Sequence, residues 1–141
     1  MKSQAAAGGQ GQEPDISDRV RRFIEQHINS LEELEVLLLL HRTSGQEWSA
    51  EVVARELRIE RQSCERRLEA LAAGGLLSVS PGAARQYAYD PMNESNGAVR
   101  ELEGAYEKYR VRVINLIFSK PVDKIRTFAD SFRIRKEESD G

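Results

Sequence analysis

Cysteine is nearly absent from this chain. Cys64 stands alone among 141 residues, so no intrachain disulfide can form and nothing points to an oxidising compartment. Histidine is scarce too: His27 and His41 are the only two, and neither shares ligand spacing with Cys64, so no metal site is assigned. Long apolar runs are missing. The longest, Val36 to Leu40, falls far short of a bilayer span. Residues 1–13 hold one lysine among mostly Ala, Gly and Gln, without the apolar stretch of a secretory signal. These absences together predict a cytoplasmic protein with no membrane partner. Excess charge is also lacking, since 21 Lys and Arg face 23 Asp and Glu for a net charge of -2. That excludes a protein that coats nucleic acid through bulk positive charge, while leaving room for local basic faces. No glycine loop opens a helix, because Gly74-Gly75 follows one, so a phosphate cradle is missing. With no nucleophile–base pair to name, the chain is read as a non-enzyme with no catalytic residue and no cofactor.

What is present is a core. Hydrophobic residues make up 40% of the chain, enough for one domain with extensions. Residues 1–13 lack bulky apolar groups and are expected to form a disordered tail. Pro14 and Asp15 open a helix, with Asp15 as its cap and Asp18 in its first turn. Ile16, Val20, Phe23, Ile24 and Ile28 follow at helical spacing. Ser30 and Glu33 fit the reciprocal S-x-x-E cap. The helix after them is apolar nearly all round from Val36 to Leu40, which predicts the central, buried helix.

From Trp48 to Tyr89 the pattern becomes most specific. Ser49 caps a helix in which Val52, Val53 and Leu57 supply apolar contacts, and Arg58 and Ile59 make a turn. A second helix, from about Glu60 to Ala73, buries Cys64, Leu68 and Leu71 and stops at Gly74-Gly75. Leu76, Leu77 and Val79 read as a strand, Pro81 to Ala84 as a turn, and Gln86 to Tyr89 as the returning strand with Tyr87 and Tyr89 on one face.

This segment resembles the helix pair and wing of bacterial winged-helix regulators. The likeness lies in Ser49 to Ile59 for the first helix and in Cys64, Leu68, Leu71, Gly75, Leu76 and Leu77 for the second helix, its stop and the first wing strand. It is similar to the broad superfamily that includes the multiple-antibiotic-resistance and phenolic-acid repressors. The resemblance implies a mainly α fold with a small β-hairpin wing, a winged helix-turn-helix followed by a long C-terminal helix. It implies a DNA-binding transcriptional regulator acting on double-stranded DNA as a homodimer. The second helix would then present Gln62, Ser63, Arg66 and Glu69 opposite its buried line. Arg66 suits guanine and Gln62 adenine. Arg61 lies on the flank, Ser63 and Arg67 suit phosphates, Arg85 suits a minor groove or the backbone, and the helix start at Ser49 suits a phosphate. Glu60, Glu65 and Glu69 interleave with these arginines, so a second reading stays open: a winged-helix adaptor that grips a protein partner without touching DNA.

Beyond a connector at Pro91 to Gly97, a helix from about Ala98 to Ser119 carries Val99, Leu102, Tyr106, Tyr109, Val113 and Leu116 three and four residues apart. That heptad seam either packs on its own domain or dimerises, against its mate or against the Ile16, Val20 and Phe23 stripe of a partner. A third class, a small-molecule sensor, would use a pocket between Tyr106, Tyr109 and the core. After Pro121 a short amphipathic helix gathers Val122, Ile125, Phe128, Ala129 and Phe132. The expected domains are a disordered tail (1–13), a winged helix-turn-helix domain (14–91), a helical extension for dimerisation or docking (92–136) and a second tail (137–141).

Overall fold

The computed structural model describes residues 16–120. The expected tails, the Asp15 cap and the short helix from Val122 to Phe132 lie outside the described residues. Chain order runs α1 (Asp18–His27), α2 (Leu31–Arg42), α3 (Ala50–Leu57), α4 (Arg61–Ala73), β1 (Leu77–Ser80), β2 (Gln86–Tyr89), α5 (Asn96–Lys108) and α6 (Arg110–Phe118).

α1 is capped by Ser17, whose Oγ accepts from the Val20 N–H at 3.2 Å, a good capping residue type directly before the first helical turn. The next cap follows the S-x-x-E rule with one shift. Ser30 Oγ accepts from Glu33 N–H at 3.0 Å, while the Glu33 carboxylate reaches back one residue further, to Asn29 N–H at 2.7 Å. Glu33 is buried, and that burial raises its pKa. Lys120, also buried, donates from Nζ to Ile28 O and Asn29 Oδ1, so the end of the described chain is tied to the α1–α2 junction.

α2 is the centre. Leu34 and Val36 to Leu40 are all buried, with α3, α4 and the hairpin packed around it. α3 ends with Arg58 in the left-handed region at φ 61. Val52, expected to pack inward, is 39% exposed; Val53 and Ala54 do the burying on that helix. α4 stops as the glycine pair requires: Leu76 N–H bonds Leu71 O and Gly75 N–H bonds Ala72 O, with Gly75 at φ +83. That is the 6→1 and 5→2 closure of a left-handed helix end. β1 and β2 pair antiparallel, Leu77 opposite Tyr89 and Val79 opposite Tyr87. Trp48 adds a bridge on the other edge of β2, exchanging both backbone hydrogen bonds with Tyr87 at 2.7 and 2.8 Å. The α2–α3 loop is thereby fastened to the wing.

The C-terminal helix departs from expectation. Where one helix from Ala98 to Ser119 is predicted, the chain breaks at Tyr109 (φ -130, ψ 50) into α5 and α6. Neither Pro nor Gly stands there. Around the break, Glu35 of α2 accepts from the Tyr106 hydroxyl at 2.9 Å and pairs with Arg110 at 3.9 Å, while the Arg110 guanidinium covers the Tyr106 ring. One carboxylate thus meets both sides of the break. α6 is also rich in β-branched residues (Val111, Val113, Ile114, Ile117), which gain little from extending a helix.

Both halves lie on α1. Ile16, Val20, Phe23, Val99, Leu102, Tyr106 and Val113, the seam and stripe singled out for dimerisation, are buried within one chain. Tyr109 and Leu116 are half-buried. The apolar side chains left open on α6 are different ones, Val111 and Phe118, at 69% and 61% exposure. Among the described residues no helix is long and apolar enough to cross a membrane.

Candidate nucleic-acid interface

The start of α3, the outer face of α4 and the wing enclose a cleft of about 760 Å³. Each wall has a local cause. Ser49 caps α3 by accepting from Val52 N–H at 3.3 Å, which aims that helix start at the cleft. α4 turns Ser63, Cys64, Leu68 and Leu71 inward, so Arg61, Glu65, Arg66 and Glu69 face out into the cleft. The wing supplies Gly82 to Arg85 and the edge of Tyr87.

Of the seven residues proposed from sequence for DNA, Ser49, Arg61, Arg66 and Arg85 meet here. Gln62 is exposed on α4 but does not line the cleft. Ser63, expected on the open face, is 8% exposed, because α4 rolls it against α2. Its hydroxyl donates to Glu32 Oε1 at 2.5 Å. Arg67 Nε donates to the same oxygen at 3.1 Å. Those two donors hold the Glu32 pKa down, the Ser63 hydrogen bond most strongly.

Arg85 is paired as well. Its Nε and Nη2 donate to the two Glu69 oxygens at 2.8 and 3.2 Å, a fork-on-fork geometry. Tyr87 donates its hydroxyl to Glu69 too, and that bond is the main reason the Glu69 carboxyl titrates below its ordinary value. Arg61 and Arg66 make no ion pair among the described residues. Sequence reasoning missed Glu32 as a residue of the site altogether. It counted Glu69 as a charge on the open face, without its partners. Neither carboxylate has a helical-spacing partner that would reveal its arginine.

The remaining titratable side chains serve structure. Cys64 is fully buried, and burial first, with Glu32 and Glu65 adding, pushes its thiol up to about 11; a thiol at that value is a small apolar group rather than a nucleophile. His41 pairs with Glu103 and meets the Tyr89 ring edge-on. His27 packs on Phe23 at 4.8 Å, and burial lowers its pKa. Among the described residues no three His, Cys, Asp or Glu side chains are grouped to hold a metal ion.

No family model and no curated protein matches the chain. Solved structures do. MepR, a transcription regulator of the Staphylococcus aureus multidrug efflux pump MepA, matches with a TM-score of 0.51 at 10% identity, over 83% of this chain and 87% of that one. The YusO protein of Bacillus subtilis matches at 0.50 and 10% identity, over 84% and 82%. RV1404 of Mycobacterium tuberculosis matches at 0.50 and 12%, over 80% and 78%. At such identities the likeness is one of fold. The chain has the winged helix-turn-helix fold, mainly helical with a two-strand wing, that transcription regulators such as MepR share.

Proposed function

We propose that this protein is a cytoplasmic DNA-binding transcription regulator, a homodimer whose α4 helices enter successive major grooves. The observation that carries the reading is the convergence of Arg61 and Arg66, without ion pairs among the described residues, on a cleft between a reading helix and a wing. In this reading Arg66 makes a bidentate contact to guanine, Gln62, exposed on α4 but outside the cleft lining, is the candidate for adenine, and the capped start of α3 offers its free N–H groups to a phosphate. Ser63 and Arg67, held on Glu32, support α4 from behind rather than touching DNA. The exposed Val111 and Phe118 of α6, seven residues apart on one face, favour a second chain there. A two-fold pair would present two copies of α4 about one helical turn of DNA apart.

One observation favours the rival adaptor: Glu51, Glu65 and Glu69 share the cleft with the three arginines, so its charge is balanced. Selection of duplexes from a random pool decides between them. Enrichment of a two-fold-symmetric site, with binding weakened by Arg66→Ala, supports the regulator. Failure to enrich any duplex at moderate salt sinks it in favour of a protein partner.

A further inference from the structure

We infer that Glu69 determines which arginines reach DNA: it holds Arg85 on α4 and off the phosphate backbone, so the cationic contacts fall to Arg61 and Arg66. The inference rests on the DNA-binding reading above and adds the residue that regulates that site.

From Leu77 to Tyr89 Arg85 is the only cation. A wing that approaches a phosphate or a narrow minor groove therefore has this one side chain to do it with. Yet Arg85 already has a complete acceptor. Glu69 takes its Nε and Nη2 at 2.8 and 3.2 Å, and the guanidinium lies 5.8 Å from the Tyr87 ring centroid. The carboxylate is itself fixed, because Tyr87 donates to it. Tyr87 in turn is 1% exposed and bridged through its backbone to Trp48. Arg85 therefore grips a rigid acceptor and not a mobile one.

Swinging Arg85 onto DNA would break both bonds and leave the Glu69 charge facing phosphate, which is repulsive. Arg66, three residues before Glu69 on the same helix, carries no such tether. Glu69 thus acts on DNA through Arg85, as a positioning residue. Its pair with Arg85 is about half exposed on both sides, exposed pairs of this kind contribute little to stability, and Glu69→Gln keeps a side-chain oxygen for the Tyr87 hydroxyl, so that substitution tests contact rather than folding.

The test is the salt dependence of binding to a selected duplex and to a random one, for the parent, Glu69→Gln, Arg85→Ala and the double variant. Freeing one arginine adds one phosphate contact. Glu69→Gln is expected to steepen the slope of log K against log salt by about 0.9, a further three- to four-fold loss of affinity between about 50 and 200 mM salt. At low salt the same variant should bind more tightly, and this gain should vanish when Arg85→Ala is added. A gain that persists beside Arg85→Ala means that Glu69 acts by repulsion alone and overturns the inference. So does Arg85→Ala flattening the parent's slope by itself, or Glu69→Gln leaving the slope unmoved. A parent that binds no duplex at any salt overturns the DNA reading and this inference together, an outcome distinct from the other three.

Discussion

The two flanks of α4 carry adjacent arginines in opposite circumstances. Arg66 is exposed and lines the cleft beside the wing. Arg67, one residue on, is half-buried against α2 with its Nε on Glu32. A rotation of about 100° per residue separates them, and that is enough to give one a ligand-facing position and the other a structural partner. The lesson is that charge on the outer face of α4 is distributed by its neighbours. α2 claims Arg67 through Glu32, α4 itself claims the wing's Arg85 through Glu69, and what remains open is Arg61 and Arg66.

The strongest way to break this arrangement is to remove what holds the flanks apart. Leu68 lies between them, fully buried, and Leu68→Ala should lower stability by about 2–5 kcal/mol, read as a denaturant midpoint. Both flanks should lose definition together. Arg66→Ala should cost about 1–3 kcal/mol of affinity for a selected duplex with stability changed by less than about 0.5 kcal/mol. Arg67→Ala should invert the pattern, lowering stability by about 1 kcal/mol with the smaller loss of affinity. Equal affinity losses from the two variants, measured by fluorescence anisotropy, would erase the distinction between the flanks.

A smaller effect sharpens the α2 side. Glu32→Gln weakens the acceptor for Ser63 and Arg67 and should reduce stability at neutral pH by about 1 kcal/mol or less. The sign with pH follows from the direction of the shift. Glu32 titrates below its ordinary 4.5, chiefly through the Ser63 hydrogen bond, so its contribution is present above the unfolded value and is lost as pH falls through the folded one. The gap between parent and variant seen in urea melts at pH 7 should close in acid below about 4.5. A gap that stays constant would mean that Glu32 does not act through its charge.

Local signals made much of this fold legible. The S-x-x-E cap, the Gly74-Gly75 stop, the Pro-Gly turn and the Tyr87/Tyr89 alternation each act within a few residues, and each is found in the structure. The Ser17 cap was not legible, since other good capping residues stand beside it in the sequence. The break at Tyr109 was hidden because neither Pro nor Gly marks it, and the Glu35 contact beside it spans 71 residues. In the site the same limit applies: Glu32 reaches Arg67 across 35 positions and Glu69 reaches Arg85 across 16. Helical spacing showed the buried line Cys64, Leu68 and Leu71 of α4; it carried no information on which side chains beside that line would be met by another element. Ser63, one step from the buried line, was assigned to the wrong side for the same reason.

The smallest prediction leaves both flanks alone and concerns the far end of α4. His27 sits against Phe23, and its Nδ1 lies 3.0 Å from where a Cβ on Gly74 would be. Burial lowers its pKa from 6.5. For a base with a depressed folded pKa, both states are neutral above 6.5, and below it the unfolded chain takes the proton more readily. Stability should therefore fall as pH drops from 6.5 toward the folded value and then level off. Glu33 works in the other direction: burial raises its pKa above 4.5, so the folded state gains a proton first and stability rises as pH falls toward 4.5. The parent curve mixes the two, and the difference between parent and His27→Gln separates them. That difference should be flat above pH 6.5 and shift in the variant's favour below it. A flat difference throughout would show that His27 binds its proton equally well in the folded and unfolded chains, so that burial does not act on it.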